Sequence, residues 1–371
     1  MKENRFKLCI FLTDPMRALY EKGEIKPRYY NPGNLFTEVH MISFCDKDIA
    51  TEKIQIVVGN ARLFLHRLGK LNLFNILFVI KKIIVLLKEI KPNIIRAYDI
   101  SVRGALACYC AKALNIPCVL SIHVNFDEQR RYDRRFVLQL RKIFERYALA
   151  RSDMVICVSN YLKEYVKQRG VKKTRVIYNR VNLNQFSDLL RKRQFVGLPH
   201  LLSVGRLVSQ KNHECIIRAI KDLNVKLTLI GSGNLSNYLK KLVRKLGIED
   251  RVEFIEAVPH SVINEYYRKA DIFVLASHYE GFCIPIIEAM ASGLPIVASN
   301  LPAIAEIVDD CGLLCKNEPA DFREKIETLL KNSELRSNLS QKARERSRFF
   351  DYEILEKQEA EIYKNLIFNA K

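Results

Sequence analysis

The sequence predicts an α/β protein with two doubly wound parallel sheets, each covered by helices on both faces. Three observations lead to this prediction. The chain has 371 residues, 49% of them hydrophobic, which is long for one compact core. Apolar segments rich in Ile and Val alternate with longer helix-like segments. The alternation stops between about Val181 and Leu198 and then restarts, which marks a domain boundary.

In the first half, short apolar segments are predicted to be strands and longer periodic segments to be helices. The predicted strands are Lys7–Leu12, Glu38–Ser43, Ile54–Val58, Asn93–Ala97, Pro117–His123, Met154–Ser159 and Arg175–Tyr178. The predicted helices are Leu73–Glu89, Val102–Leu114, Arg135–Ala150 and Tyr161–Gln168. The first domain is therefore expected to cover residues 1–185.

The second half repeats this pattern and is expected to form a domain over residues 198–350. The predicted strands are His200–Val204, Lys226–Ile230, Arg251–Ile255, Ile272–Ala276 and Pro295–Ala298. One helix is predicted to run through Ile220, and another to open within Pro259–Tyr267.

The most informative segment is S-H-Y-E-G-F-C-I-P-I-I-E-A-M-A-S-G-L-P-I-V-A-S, Ser277 to Ser299. It reads as a loop, a short helix and a strand, with Glu280 in the loop, Glu288 in the helix and Pro285 suited to the first helical turn. If the whole span were helical, the two carboxylates would lie about 12 Å apart. The paired acids of a glycoside hydrolase need about 5 to 9.5 Å.

Two such carboxylates suit the two ends of an elongated ligand, with an anion between them at the N–H groups of the helix N-terminus. A nucleotide-diphosphate sugar has this shape. The alternative is that Glu280 and Glu288 are surface carboxylates on an ordinary sheet edge.

The segment from Glu280 to Ser299 resembles the E-x7-E signature of the retaining, family-4 glycosyltransferases. The resemblance implies the GT-B fold, two Rossmann-like domains facing a central cleft, and a nucleotide-diphosphate sugar as donor. It implies that Glu288 binds ribose hydroxyls and that Glu280 positions the sugar. The N–H groups of the stretch Gly281, Phe282, Cys283 and Ile284 are then expected to stabilise the diphosphate.

Other motifs of the second half fit the same ligand. G-R-L-V-S-Q-K-N follows a predicted strand, so Arg206 and Lys211 can converge on phosphate oxygens. This motif resembles the diphosphate clamp of the family. The next strand ends at Gly231, Ser232 and Gly233, where glycines allow a ligand to approach the backbone closely and where the family contacts the nucleotide. By the same resemblance, Val258 is expected to border the base.

The first half offers fewer candidates. His123 ends a predicted strand; alone it would count as structural, but the resemblance implies that it lies beside the donor sugar. The long connection from Thr13 to Asn34 contains Arg28, Tyr29, Tyr30 and Asn31, which are expected to bind the acceptor or to close over the donor. Plain packing of the loop is the alternative. The resemblance also implies that a final helix, about 352–371, packs back onto the first domain.

Positive charge is concentrated in the first half. Residues 1–190 hold 34 Lys and Arg against 17 Asp and Glu, whereas residues 191–371 hold 27 against 24. The stretch Gln129–Arg146 is especially basic and has apolar residues at helical intervals. It is either a solvated helix face or a surface held against an anionic membrane. No nucleic-acid partner is expected, because no recognisable nucleic-acid-binding module accompanies the charge.

The hydrophobic segments do not predict export or membrane insertion. The N-terminus has an uninterrupted run of only five apolar residues, Leu8 to Leu12, before Thr13, which indicates a strand rather than a signal peptide. The segment Leu71–Leu87 is short and is interrupted by Lys81 and Lys82. We therefore expect a cytoplasmic protein, with peripheral attachment to the inner face of the membrane if its basic half binds lipid.

No metal or other cofactor is expected. The ten cysteines contain no C-x-x-C pair, and they read as reduced, mostly buried thiols. The acidic pair in D-K-D, Asp46 to Asp48, has no plausible metal-binding setting.

The resulting hypothesis is a metal-independent, retaining hexosyltransferase that transfers a hexose from a UDP- or GDP-linked donor to a sugar or lipid-linked acceptor. Its product is expected to be a cell-surface polysaccharide or glycolipid. Two alternatives remain open: a GT-B sugar-nucleotide epimerase, which would need no acceptor, and a non-catalytic basic module that binds membrane or nucleic acid.

Overall fold

A computed structural model describes residues 5–72, 74–132, 136–186, 195 and 197–369. The chain divides into two compact units. The first unit comprises Met1–His123, Asp133–Ile177 and Leu355–Lys371, and the second comprises Val124–Tyr132 and Tyr178–Ile354. The segment 181–198, which the sequence marked as a boundary, lies partly outside the described residues.

Within the described residues, the first unit contains a seven-stranded sheet in which all neighbouring strands are parallel. Its strands are β1 (Lys7–Phe11), β2 (Glu38–Ser43), β3 (Arg62–Arg67), β4 (Ile94–Ala97), β5 (Cys118–Ile122), β6 (Met154–Cys157) and β7 (Thr174–Val176). Their order is β3-β2-β1-β4-β5-β6-β7, with Lys7 opposite Glu38 and Leu8 opposite Ile94. The order reverses between β1 and β4, as in a doubly wound sheet.

The described part of the second unit contains a six-stranded parallel sheet. Its strands are β8 (His200–Val204), β9 (Lys226–Ile230), β10 (Val252–Ile255), β11 (Ile272–Leu275), β12 (Ile296–Ser299) and β13 (Gly312–Cys315). Their order is β10-β9-β8-β11-β12-β13, so the direction of winding reverses between β8 and β11. Ligands of such sheets bind at the carboxyl ends of the two strands that flank this reversal.

Helices connect the strands. In chain order they are α1 (Met16–Glu21), α2 (Ile76–Ile90), α3 (Val102–Ala113), α4 (Phe126–Tyr132), α5 (Phe136–Arg151), α6 (Asn160–Lys167), α7 (His213–Ala219), α8 (Ser236–Leu246), α9 (Asn264–Lys269), α10 (Ile284–Ala291), α11 (Pro302–Val308), α12 (Pro319–Lys331), α13 (Ser333–Ser347) and α14 (Tyr352–Asn369). Short 3-10 helices lie at Pro32–Asn34, Thr51–Lys53, Gln55–Val58, Leu183–Gln185, Ser209–Lys211 and Arg348–Phe350. The predicted fold class, two Rossmann-like doubly wound units, is confirmed.

One strand prediction is wrong. Ile54–Val58 is not a strand, because Gln55–Val58 forms a 3-10 helix, and the edge strand next to β2 is Arg62–Arg67. Ile54, Val57 and Val58 are buried while Ile56 is half exposed, a spacing that belongs to a helical turn rather than to an alternating strand. The true strand was missed because it lies at the sheet edge and has an arginine at each end.

The last helix, α14, packs within the first unit. Arg96 on β4 is fully buried, and it donates to the Oγ of Ser121 at 2.6 Å and to the Oε1 of Glu359 on α14 at 3.3 Å. The Tyr363 hydroxyl donates to the same Glu359 oxygen at 2.7 Å. Arg28 forms a second ion pair with the helix, with its Nη2 3.0 Å from the Oε2 of Glu356. Ion pairs from β4 and from the loop that carries Arg28 therefore hold α14 within the first unit.

Candidate functional site

Two loops of the second unit meet between β8 and β11, where the direction of winding of its sheet reverses. We call this place the sheet reversal. One follows β8 and contains G-R-L-V-S-Q-K-N, and the other follows β11 and contains S-H-Y-E-G. The backbone N–H of His278 donates to the carbonyl of Gln210 at 2.8 Å, and the Gln210 side-chain amide donates to the carbonyl of Tyr279 at 3.0 Å. The two motifs, far apart in sequence, therefore form one surface.

Lys211 and Glu280 form the central contact of this site. The Nζ of Lys211 lies 2.5 Å from the Oε1 of Glu280, and both side chains are largely buried. The Ser277 hydroxyl donates to the same oxygen at 2.7 Å. Burial opposes the charge on Lys211, but the nearby carboxylate of Glu280 outweighs it and raises the pKa of this lysine. Lys211 is therefore a permanent cation at neutral pH.

Arg206 supplies a second, more exposed cation beside this pair. Its Nη2 donates to the Oε1 of Gln210 at 3.1 Å. Its positive charge is close enough to Lys211 to act against the protonated form of that lysine. The structure therefore places Arg206 close to the pair formed by Lys211 and Glu280.

Gly231 and Gly233 allow two backbones to approach each other. A Cβ on Gly231 would lie 2.2 Å from the carbonyl oxygen of Gly205, and a Cβ on Gly233 would lie 2.2 Å from that of Leu207. The Leu207 N–H donates to the carbonyl of Ser232 at 2.9 Å. The close approach that these glycines permit is therefore made by the arginine-bearing loop. A ligand is not needed to explain them.

The helix that carries Glu288 begins where the sequence predicted. It is α10, with Cys283 as its N-cap residue and Pro285 in its first turn. Pro285 lacks an N–H group, but the first-turn N–H groups have no partners within the helix, so an anion can be accepted there. Burial raises the pKa of the Cys283 thiol to about 12, so it stays protonated at neutral pH.

Phe282 contributes packing rather than a ligand-binding ring. Its ring stacks on Tyr178 with a centroid distance of 5.8 Å and meets Phe350 edge-on at 5.9 Å. Only its backbone can serve the role that the sequence suggested. Gly281 beside it is buried, whereas Ile284 at the helix start is partly exposed.

Glu288 is buried, and its two oxygens have separate partners. The Tyr267 hydroxyl donates to Oε2 at 2.7 Å, and the Nε2 of His260 lies 3.1 Å from Oε1. Burial, followed by the negative charge of Glu288, raises the pKa of Tyr267 well above its ordinary value, so this phenol stays a donor. His260 is about one-third exposed, whereas the Glu288 side chain is almost fully buried. Val258, two residues before His260, is partly exposed.

His123 belongs to the first unit. Its Nε2 is buried and has no hydrogen-bond partner within the described part of the chain. Burial, and then the charge of Arg96, lowers its pKa to about 4. His123 is therefore a neutral hydrogen-bonding group at pH 7 rather than a cation.

The predicted acceptor loop is also in the first unit. Tyr29 stacks on Tyr98 with centroids 5.8 Å apart, and the buried Tyr30 meets both rings edge-on. Asn31 has no exposed surface. Its amide donates to the carbonyls of Phe36 and Val58, and its Oδ1 accepts from the Phe36 N–H.

Asn31 therefore shapes the loop and offers no atom to an acceptor. Tyr29 and Arg28 remain partly exposed, although Arg28 also pairs with Glu356.

Sequence reasoning missed several residues that hold the predicted site residues in place. Ser277, Gln210, Tyr267 and His260 were not chosen as site residues, yet each contacts a predicted one. Tyr267 carried a usable signal, because a tyrosine on the buried face of a helix needs a hydrogen-bond partner. The role of Gln210 depends on loop contacts that no sequence pattern reveals.

Among residues 5–72, 74–132, 136–186, 195 and 197–369, no three His, Cys, Asp or Glu side chains converge to form a metal site. None of the helices in these ranges has both the length and the apolar content needed to cross a lipid bilayer.

The two doubly wound units and the cationic and acidic loops at the sheet reversal define a Rossmann-like enzyme of the GT-B class. Residues 188–346 match the family model for group 1 glycosyl transferases, and residues 36–185 match the model for glycosyltransferase family 4. The chain belongs to this glycosyltransferase family, whose members transfer sugars from nucleotide-sugar donors to acceptors.

Individual relatives and structures agree with this assignment. The chain is 32% identical to an uncharacterized glycosyltransferase of Methanocaldococcus jannaschii over 256 residues, which cover 68% of this chain and 69% of that protein. It is 28% identical to the alpha-monoglucosyldiacylglycerol synthase of Streptococcus pneumoniae over 243 residues, 60% of this chain and 55% of that protein. The crystal structure of Anabaena HepE in complex with UDP has the same fold, with a TM-score of 0.79, 20% identity, and coverage of 97% of this chain and 100% of that one.

Proposed function

We propose that this protein is a retaining hexosyltransferase that moves a hexose from a UDP- or GDP-linked donor to an acceptor hydroxyl. The observation that carries the proposal is the contact between Lys211 and Glu280. It joins a cationic loop to an acidic loop at the sheet reversal, and the short helix that follows the acidic loop holds Glu288. Cationic side chains together with two separate carboxylates suit a ligand with phosphates at its centre and hydroxyls at both ends.

Each part of the donor has a proposed contact. Glu288, whose carboxylate is oriented by Tyr267 and His260, accepts hydrogen bonds from the ribose hydroxyls. Arg206 and Lys211 bind the diphosphate, together with N–H groups at the start of α10. Backbone groups of Gly231, Ser232, Gly233 and Gly281 through Ile284, and the side chain of Val258, line the nucleotide side. Glu280 and His123 position the sugar.

The proposed reaction breaks the bond between the anomeric carbon and the diphosphate oxygen, and the electron pair leaves with the phosphate. The acceptor hydroxyl attacks from the face that the diphosphate leaves, and its proton passes to a departing phosphate oxygen. Negative charge on the leaving group is stabilised by Arg206, Lys211 and the helix N–H groups, so the proposal includes no metal ion. Glu280 is assigned to positioning, because its Oε1 already accepts from Lys211 and Ser277.

The acceptor is proposed to be a sugar or a lipid-linked sugar at the cytoplasmic face of the membrane, in glycolipid or polysaccharide synthesis. Support comes from the Streptococcus pneumoniae relative, whose name describes synthesis of a glycosylated diacylglycerol. In the first unit, Arg28, Tyr29 and Tyr30 are the proposed acceptor contacts. Tyr29 and Arg28 are the partly exposed members of this loop.

The proposal is tested by comparing isosteric changes at the two glutamates. We expect Glu288→Gln to lower the affinity for UDP or GDP and the affinity for the matching nucleotide sugar by a similar factor of about ten, because both ligands contain the ribose. Glu280→Gln should weaken the nucleotide sugar but leave the free nucleotide diphosphate nearly unchanged. Glu265→Gln is a matched control, since Glu265 is an exposed acid on the neighbouring helix α9. Calorimetry with each ligand gives these values.

Transfer itself is followed by NMR of the product. An α-linked donor should give an α-linked product, and Arg206→Ala and Lys211→Ala should each reduce turnover by at least about tenfold. An inverted product would rule out the retaining mechanism. A changed nucleotide sugar formed without acceptor would indicate an epimerase instead. Full activity in both variants would contradict the assigned site.

A further inference from the structure

Helix α2 has large apolar side chains on two opposite faces. Val79, Ile83, Leu87 and Ile90 are buried in the first unit. On the other side Phe74, Leu77 and Phe78 are 101%, 73% and 60% exposed. Single exposed apolar residues are common on protein surfaces, but Phe74 in the turn before α2 and Leu77 and Phe78 in its first turn together form an exposed patch.

The exposed side chains continue along one stripe of the helix. From Phe74, the exposed positions recur at helical spacing through Leu77 and Phe78 to Lys81, Lys82, Val85 and Lys88. The Nζ of Lys82 lies 4.5 Å from the centre of the Phe78 ring. The apolar patch therefore leads directly into a row of lysines.

The turn that presents Phe74 is held by hydrogen bonds. The Oδ1 of Asn72 accepts from the N–H groups of Phe74 and Asn75, each at 3.0 Å. In return, the Asn72 N–H donates to the Oδ1 of Asn75 at 2.9 Å, and the Asn75 amide donates to the carbonyl of Lys70 at 2.7 Å. These bonds fix the backbone in a form that keeps the Phe74 ring in solvent.

The segment around the stripe is strongly basic. Residues 67–91 contain six Lys or Arg and one acidic residue, Glu89. The helix has 15 residues, so it is about 22 Å long and shorter than the roughly 30 Å hydrocarbon core of a bilayer. A helix of this length with aromatic and aliphatic residues beside lysines is suited to lie along a membrane surface.

We propose that the outer face of α2 and the turn before it form a docking surface for an anionic lipid bilayer. Phe74, Leu77 and Phe78 enter the boundary between headgroups and acyl chains, and Lys81 and Lys82 contact lipid phosphates. A protein partner fits less well, because the cores of protein interfaces are depleted in lysine. The inference rests on the proposed function only in that a lipid-linked acceptor would lie at the same surface.

This surface differs from the basic stretch Gln129–Arg146 that charge alone suggested. Residues 133–135 of that stretch lie outside the described residues, whereas both the apolar patch and the lysines of α2 are described. The proposal therefore depends on α2 and not on total charge.

The test uses the full-length protein and vesicle flotation. Vesicles of phosphatidylcholine with about one-third phosphatidylglycerol are compared with vesicles of phosphatidylcholine alone. We expect the wild-type protein to bind the anionic vesicles. The triple variant Phe74→Ser/Leu77→Ser/Phe78→Ser should bind them at least about tenfold more weakly. Lys81→Gln/Lys82→Gln should show a smaller loss of vesicle affinity, and this loss should depend on salt.

The matched controls are Phe349→Ser and Lys241→Gln/Lys245→Gln, which change exposed residues of the second unit. Thermal unfolding checks that all variants fold, and light scattering checks their association state.

The outcomes separate this inference from the proposed function. The docking surface is overturned if the triple variant still binds the anionic vesicles. It is also overturned if the control variants lose as much vesicle binding as the triple variant does. A triple variant that dissociates an oligomer overturns it as well, because α2 would then bind a second copy of the chain. Nucleotide-sugar binding in solution should be unchanged in the triple variant, and its absence in the wild-type protein would contradict the proposed function alone.

Discussion

The contact between Lys211 and Glu280 makes a quantitative prediction about stability. The side chains are 12% and 6% exposed, and the charged atoms lie 2.5 Å apart. In Lys211→Met the Glu280 carboxylate stays buried and keeps the hydrogen bond from the Ser277 hydroxyl, but it loses its cation. Breaking a buried ion pair by removing one partner costs about 3 to 5 kcal/mol. We expect a loss near the lower end, because neither side chain is completely buried.

Removing both charges should cost less than the two single changes together. In Lys211→Met/Glu280→Gln no buried charge remains, so the double variant should recover about 2 to 3 kcal/mol relative to additivity. A surface pair provides the control: Lys331 and Glu327 lie 2.8 Å apart on α12 but are 76% and 36% exposed. Their coupling should be no more than about 0.5 kcal/mol.

Urea unfolding of the four variants of each pair measures these couplings. High salt should abolish the control coupling and leave most of the buried one, because buried charges are screened less. The raised pKa of Lys211 also predicts how the stability of the pair depends on pH. The stabilisation by the protonated lysine is fully present below the ordinary lysine pKa of about 10.4, and it is lost only as the pH rises through the higher pKa of the folded state. The coupling should therefore be equal at pH 7 and pH 9. A coupling as small as that of the surface pair would refute the assignment of a buried pair.

Three further predictions concern other parts of the molecule. Gly233→Ala should destabilise the second unit by about 1 to 3 kcal/mol, because its Cβ would lie 2.2 Å from the Leu207 carbonyl oxygen, and the exposed Ser232→Ala is the control for calorimetric unfolding. Burial, followed by the charge of Lys211, lowers the pKa of His213 to about 4. Its neutral form therefore contributes about 3 kcal/mol above pH 6.5 that is lost as the pH falls toward 4, so His213→Gln should flatten that part of the stability curve; an unchanged slope would contradict this. Arg96→Met should cost about 3 to 5 kcal/mol in urea unfolding by leaving Glu359 buried without its cation, and a smaller effect than that of a surface arginine would show that α14 is held by other contacts.

The sequence predicted those features that depend on local pattern. The alternating apolar segments predicted both sheets. Pro285 predicted where α10 begins, and it does lie in the first turn of that helix. The strand prediction at Ile54–Val58 is wrong because it depended on the Ile- and Val-rich composition of the segment. The spacing of its buried positions is that of a helical turn. Edge strands such as β3, with charged ends and few buried residues, carry a weaker signal.

Residue pairing could not be predicted in the same way. Both Lys211 and Glu280 were selected from motifs, but their direct contact was not, because it depends on two loops whose residues are 69 positions apart. Asn31 illustrates the opposite case. It was predicted to bind an acceptor because it is a polar residue in a long loop. Its side-chain amide instead forms hydrogen bonds with the backbone of its own unit, which only the three-dimensional structure reveals.

The topology of the second sheet explains why these distant residues meet. β8 and β11 are parallel neighbours, with Ile272 opposite Leu201, although β9 and β10 lie between them in sequence. Because the strands are parallel, the loops that follow them leave from the same edge of the sheet. The cation of one loop can then neutralise the acid of the other. Ligands of doubly wound sheets bind at the carboxyl ends of the strands that flank such a reversal of winding, which is why this pair is the centre of the proposed donor site.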